Sequence, residues 1–136
     1  MYERKDRMSY KIYYKDEDHR NKLKELLIKY KKVYAKYNNE VDQYYLPTFY
    51  ILTSDPELRR KSYRYITDEG IKFNQMTDEQ DFSSGPMELI RLAHQLFNNG
   101  DQADISRIIS VLDEENFQVA LQAIILKRSS YNYDEL

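Results

Sequence analysis

Apolar residues recur at spacings of three and four over the first long patterned stretch of the chain, which is the period of a helix with one buried face. The pattern predicts a helix over residues 16–37. Asp16 or Asp18 can accept hydrogen bonds from its first N–H groups, and Asn38 and Asn39 end it. Its apolar stripe consists of Leu23, Leu26, Leu27, Tyr30, Val33, Tyr34 and Tyr37.

Two shorter helices are predicted beside prolines, which fit best in the first turn of a helix. One runs over about 47–53 and buries Phe49, Ile51 and Leu52. The other follows Asp55, which can cap it, and runs over about 56–66 with an inward side made of Leu58, Tyr63 and Ile66.

Three further helices carry the densest aliphatic stripes. They are predicted to begin beside Gly85, Asp104 and Asp113, which are residue types that start helices. Their predicted inward residues are, in chain order, Leu89, Ile90, Ala93, Leu96 and Phe97; Ile105, Ile108, Ile109 and Leu112; and Phe117, Ala120, Leu121, Ile124 and Ile125. We expect these three helices to form the core, covered by the first three, which are richer in Tyr.

The predicted fold class is therefore mainly α, a compact bundle of five to six helices. Alternating residues predict a minor short β element near 10–14 and 71–73, and the polar stretch 74–84 is predicted to be a loop. We expect an N-terminal arm (1–15), one helical domain (16–128) and a flexible C-terminal tail (129–136).

Composition narrows the chemistry that this chain of 136 residues can perform. It has no cysteine, which excludes disulfides, zinc ribbons and thiol nucleophiles. Its three glycines cannot build a phosphate-binding loop. Its longest uncharged runs, 43–54 and 116–126, are too short to span a bilayer. We expect a small soluble cytoplasmic protein, with no membrane partner and no cofactor.

Charge is unevenly distributed along the chain. Residues 1–37 carry twelve Lys and Arg against six Asp and Glu, whereas the remainder carries nine against seventeen. A basic face is predicted from Lys22, Lys29, Lys32, Lys36, Arg59, Arg60 and Arg64. This face suits nucleic acid, an acidic protein or the acidic remainder of the same chain.

Other candidate groups give weak signals. Asp78, Glu79 and Asp81 form a predicted acidic loop suited to partner contacts. His19 and His94 lie in no ligand spacing, with His19 expected in an exposed first turn and His94 at a boundary, so no metal site is predicted. No catalytic residue is assigned.

Three segments resemble a known family: 45–53 (YLPTFYILT), 81–85 followed by 89–93 (DFSSG and LIRLA), and 111–113 followed by 116–121 (VLD and NFQVAL). They are similar to small uncharacterised helical proteins of Gram-positive bacteria and their prophages, over about residues 10–128. The resemblance implies a helical domain and a tie to mobile elements. No activity of that family is known, so it assigns no functional residue.

The expected function is that of a non-enzymatic protein-interaction module. It would act through surface charge on a host or phage protein, as an accessory or counter-defence (inhibitor) factor of a phage or mobile element. The alternative is a small nucleic-acid-binding protein that uses the basic, tyrosine-rich N-terminal helix. The sequence leaves the partner's identity and the oligomeric state open.

Overall fold

The computed structural model of the chain describes residues 11–136, which fold into seven α-helices and two short two-stranded sheets. The mainly α fold with a minor β element is thus confirmed. No helix within residues 11–136 combines the length and the apolar character needed to cross a membrane. In chain order the elements are α1 Glu17–Lys29, β1 Val33–Tyr34, β2 Glu40–Val41, α2 Tyr45–Leu52, α3 Pro56–Ser62, β3 Ile66–Thr67, β4 Gly70–Ile71, α4 Phe73–Glu79, α5 Ser84–Asn98, α6 Ile105–Val111 and α7 Glu114–Arg128, with 3-10 turns at Ala35–Tyr37, Tyr63–Tyr65 and Tyr133–Glu135.

The core is built around α2. Every residue from 46 to 52 is buried, and α2 packs on α1, α5 and α7. This helix begins at Tyr45, two residues before the predicted start. Because α2 has no polar face, it must be covered on all sides. The expectation that the last three helices form the core was therefore right only in part, because α5 and α7 contribute to the core but its centre is α2.

The Thr and Ser hydroxyl groups buried in and after α2 are satisfied by its own backbone and that of the residue before it. Thr48 Oγ1 donates to the Tyr44 carbonyl at 2.9 Å, and Thr53 Oγ1 donates to the Phe49 carbonyl at 2.7 Å. Ser54 and Thr53 are both buried just after the helix. Hydrogen-bonded in this way, the hydroxyls do not oppose the burial of α2.

The first helix is shorter than the sequence pattern predicts. It ends at Lys29, and Lys31 takes a left-handed conformation (φ 58°) that breaks the helical path. The chain then forms the antiparallel β1–β2 hairpin, in which Val33 pairs with Val41. β-Branched and aromatic residues favour a strand, so Val33 and Tyr34 satisfied the helical spacing without being helical.

The second hairpin corrects the predicted β element. β3 pairs antiparallel with β4, and only Ile71 falls within the predicted stretch 71–73. Phe73 instead starts α4, in the region predicted to be a loop, because Phe73 and Met76 are both buried and lie on one helical face. Residues 11–14 form no strand, and residue 10 lies outside the described residues.

Four predicted helix starts are confirmed by side-chain caps. Asp16, Asp55 and Asp113 each accept a hydrogen bond at 2.8 Å from the backbone N–H three residues later. Asp104 accepts one at 2.9 Å from the N–H of Ser106. At the end of α5 the left-handed residue is Asn99 (φ 60°).

The apolar stripes of α6 and α7 are only partly inward. Ile108 and Leu112 are buried, but Ile105 and Ile109 are 63% and 64% exposed. On α7 the buried apolar residues are Val119, Ala120, Ala123 and Leu126, whereas Leu121 and Ile124 are 42% and 41% exposed. Because residues 116–126 carry no charge, the sequence pattern could not show which side of α7 faces the core. In the structure, small residues such as Ala120 and Ala123 face it.

The segment after α7 packs on the domain and is not a loose tail. Residues 129–131 are buried, and the Val41 N–H donates to the Tyr131 carbonyl at 2.8 Å. Glu40 and Asn132 form an antiparallel bridge beside β2. The expected flexible tail (129–136) is therefore wrong, because the β1–β2 hairpin offers this segment unpaired backbone groups.

Two isoleucine truncations test which residues form the core. Ile51 on α2 is fully buried and Ile109 on α6 is largely exposed. We expect Ile51→Ala to lower the free energy of unfolding by about 2–5 kcal/mol, through lost burial and a residual cavity. Ile109→Ala should change it by less than about 0.5 kcal/mol. Urea denaturation measures both, and equal losses would contradict this core.

Candidate functional site

The predicted basic face does not lie on a single helix. Lys22 and Lys29 belong to α1, Lys32 follows the break at Lys31, and Lys36 lies in the first 3-10 turn. The turn after α1 therefore separates the lysines that the predicted helix placed together.

Most of these lysines contact tyrosine rings or a carboxylate of the same chain. The Nζ atom of Lys32 lies 4.1 Å from the centroid of the Tyr45 ring, and that of Lys22 lies 3.4 Å from a Glu25 carboxylate oxygen. Looser ring contacts involve Lys29 over Tyr30 (5.4 Å) and Lys36 over Tyr37 (6.0 Å). Cation–π contacts hold such ammonium groups over the rings.

The arginines of the predicted face have unlike roles. Arg59 donates to the Thr53 carbonyl at 2.7 Å and so ties α3 to the end of α2. Arg60 is exposed. Arg64 is exposed too, donates to the Tyr65 hydroxyl at 3.0 Å and lies 4.0 Å from a Glu79 oxygen. The hydroxyl bond and the nearby carboxylate raise the pKa of Arg64.

The predicted acidic loop is the end of α4 and the turn after it. Asp78 and Glu79 are helical, Asp81 follows, and all three are exposed. The Tyr65 hydroxyl donates to Glu79 at 2.7 Å and is the main cause of the lowered pKa of that carboxyl. Lys61 on α3 donates to the Asp81 carbonyl. Part of the basic surface around α3 therefore meets the acidic part of the same chain.

Glu57 fixes this acidic turn and the start of α5 against α3. Its carboxylate accepts from the Ser83 N–H at 2.9 Å, from the Ser83 hydroxyl at 2.5 Å and from Lys61 at 3.1 Å. These donors favour the ionised carboxylate and lower the pKa of Glu57 to about 2, with the Ser83 hydroxyl as the largest cause. No role for Glu57 was predicted from the sequence.

His19 is buried, which contradicts its predicted exposure. Its Nδ1 accepts from the Lys15 N–H at 3.2 Å, so Nε2 carries the proton and donates to the Tyr50 carbonyl at 2.7 Å. The ring packs edge-on against Tyr14 (5.2 Å between centroids) and lies 4.6 Å from the Tyr50 ring. Both nitrogens are used, so His19 joins the segment before α1 to α2.

His94 has a separate environment on α5. Its ring stacks on Phe73 at 4.3 Å, and burial lowers its pKa. Among residues 11–136, no group of three or more His, Cys, Asp or Glu side chains is placed to hold a metal ion.

Glu88 is a buried charge that the sequence analysis did not single out. It is 1% exposed, and its Oε1 accepts from Arg107 Nε at 2.6 Å and from Arg91 at 3.0 Å. Its Oε2 has no hydrogen-bond partner in the described part of the chain. The sequence did contain an indication that Glu88 is buried, since it lies four residues before buried Leu92 on the same helical face. The contact with Arg107 ties α6 to α5.

Two buried amides on α7 are covered by the segment before α1. Gln122 Oε1 accepts from the Tyr13 N–H at 3.0 Å, and Asn116 Oδ1 accepts from Lys15 Nζ at 2.6 Å. Because these amides have hydrogen-bond partners, α7 can bury them while Leu121 and Ile124 face outward.

A cleft of about 760 Å³ lies beside this segment. Tyr14 and Arg20 line it, and both donate to the Leu136 carbonyl, at 3.1 Å and 2.8 Å. Burial raises the pKa of Tyr14 to about 12. The remaining lining residues are Lys11, Ile12, Tyr13, Asp16, Glu17, Asp134 and Glu135.

The comparisons with known proteins give one match. The model of a protein family described only as a family of unknown function (DUF6075) matches residues 9–134. Neither the curated proteins nor the solved structures contain a match to the chain.

The burial of His19 predicts a dependence of stability on pH. Desolvation lowers the pKa of His19 from 6.5 to about 4. Between these values the unfolded chain binds a proton that the folded chain does not. The contribution of His19 to the free energy of unfolding is therefore largest above pH 6.5, and it falls by about 3 kcal/mol as the pH is lowered towards 4.

Two measurements check this expectation. Urea denaturation across this pH range should show the free energy of unfolding falling as the pH is lowered. His19→Asn should weaken this pH dependence more than the matched variant His94→Gln does. Ring-nitrogen NMR should show His19 neutral with the proton on Nε2. A His19 that titrates near 6.5 in the folded chain would overturn it.

Proposed function

The chain belongs to the DUF6075 family, and we propose that it is a non-enzymatic protein-interaction module. The observation that supports this function is the exposure of Ile105 and Ile109, which are 63% and 64% accessible on α6. Two β-branched aliphatic side chains, four residues apart on one helix, present a ridge that a partner can bury.

Scattered single apolar residues on a surface need no explanation, whereas neighbouring ones mark contact sites. Because 32% of the residues in this protein are charged, two neighbouring exposed isoleucines on α6 are unusual on its surface. Ile108 is buried, whereas Ile105 and Ile109 on the same helix are exposed. The tie between Arg107 and Glu88 holds α6 in this orientation.

Surface charge has a second role in the proposal. Lys29, Lys36, Arg60 and Arg64 are exposed, whereas Arg59 and Lys61 are half-buried and donate to backbone carbonyls of the same chain. We propose that apolar contacts on α6 provide affinity and that the exposed charges orient the partner.

A narrower role is proposed from the resemblance in the sequence. As an accessory or counter-defence factor of a phage or mobile element of Gram-positive bacteria, the protein would bind and inhibit a host protein. The seventeen acidic residues after residue 37 favour a nucleic-acid-binding host protein as the target. This role stays a prediction.

Nucleic-acid binding is the second candidate function. It is favoured by the exposed Lys29, Lys36 and Tyr37, since Tyr37 is 50% exposed and can stack on a base. The separation of the lysines by the break after α1 makes this surface smaller than the predicted one.

The interaction proposal is tested with a double variant on α6. Ile105→Lys with Ile109→Lys should abolish capture of a partner from nuclease-treated host lysate and should weaken binding of that purified partner at least about tenfold. The matched control is Ile28→Lys on α1, which removes an isoleucine that is 55% exposed and should retain binding. Equal binding by the unmodified protein, the α6 double variant and the Ile28→Lys control would contradict the role of α6.

The nucleic-acid alternative is tested with labelled DNA and RNA. If it is correct, binding weakens steeply with salt, and Lys29→Glu with Lys36→Glu abolishes it. Unchanged binding by this variant, or no binding at low salt, would exclude this surface as the nucleic-acid site.

A further inference from the structure

The outward side of α7 is mainly apolar at its centre, where Gln118 is also exposed, and it is charged at its ends. Leu121 and Ile124 are exposed, and Phe117 and Ile125 are half-buried beside them. The opposite side packs on α2 and α5. We propose that this outward side pairs with the same helix of a second copy of the chain, antiparallel, about a two-fold axis at Leu121.

The helical period places the two end charges in line with the centre. Residues seven apart on an α-helix differ by about 20° in direction. Glu114 lies seven residues before Leu121 and Arg128 lies seven residues after it, and both are exposed. One stripe therefore runs from an acid, through mainly apolar residues, to a base.

This order of charge is complementary to itself only in the antiparallel orientation. A two-fold axis at Leu121 places Glu114 opposite Arg128 of the second copy, and it repeats that pair at the other end. The same operation sets Phe117 opposite Ile125, Leu121 opposite itself, and Ile124 opposite Gln118. A parallel pair would instead bring like charges together. Antiparallel helices also align their dipoles favourably.

The two end charges do not neutralise each other within one chain. Fourteen residues of helix separate them by about 21 Å. No ion pair among residues 11–136 includes Glu114 or Arg128. The charges at both ends are thus available to a second copy. This self-complementarity favours a second copy over an unrelated helix as the occupant.

The inference rests on the proposed interaction function in that it names one partner of the protein, and it uses α7 instead of α6. A contact along one helix of 15 residues lies at the small end of specific interfaces. We therefore expect a reversible dimer whose population rises with concentration.

The test is a charge-swap cycle followed by sedimentation velocity over a concentration series of the full chain. Glu114→Arg and Arg128→Glu should each raise the dimer dissociation constant about tenfold, because each creates two like-charge contacts. The double swap should restore dimerisation, since opposite charges again face each other. The double swap is the variant least favourable to the helix dipole, so restored pairing cannot result from helix stability.

A central substitution provides the second arm. Leu121→Glu places two carboxylates on the axis and should abolish the dimer, whereas Ile28→Glu on α1 should leave it unchanged. Circular dichroism verifies that each variant is folded. A monomer at every concentration, or a double swap that stays monomeric, overturns the inference. Partner binding through Ile105 and Ile109, measured on the same proteins, tests the proposed function separately.

Discussion

The structure depends on the complete burial of α2. An eight-residue helix with no polar face cannot sit at a surface, so its neighbours are arranged to exclude water from every side of it. Helices α1, α5 and α7 supply most of that cover. The remaining elements fill the gaps between them, and both hairpins are short enough to serve as connections between helices.

Burial of this kind must include polar atoms, and the segment before α1 satisfies many of them. Lys15 binds both the His19 ring through its N–H and Asn116 through its ammonium group. The Tyr13 N–H binds Gln122, and the Tyr13 carbonyl accepts the hydroxyl of Tyr50. Residues without regular secondary structure thus join α1, α2 and α7, because unpaired amides and a buried imidazole would otherwise be costly.

Helix caps were predictable from the sequence, and long-range packing was not. The caps Asp16, Asp55, Asp104 and Asp113 act on N–H groups two or three residues away, so the sequence was sufficient to identify them. The central position of α2 depends on packing against distant helices. The orientation of α7 was ambiguous because residues 116–126 are uncharged, and the inward amides find partners a hundred residues earlier. The same reasons apply to the candidate surfaces: residue types indicated charge, but only the fold separates Lys36 from Lys22 and turns Ile109 outward.

The attachment of α6 has a consequence for the way the molecule opens. Few of its apolar side chains are buried, with Ile108 at 4% exposure and Leu112 just after it, and a charge contact from Glu88 to Arg107 supplies much of the rest. Salt screens such a contact on its exposed side but leaves the aliphatic interior of α2 untouched. We therefore expect α6 to open more readily than α2, so that its amide hydrogens exchange through sub-global opening and those of α2 exchange through global unfolding.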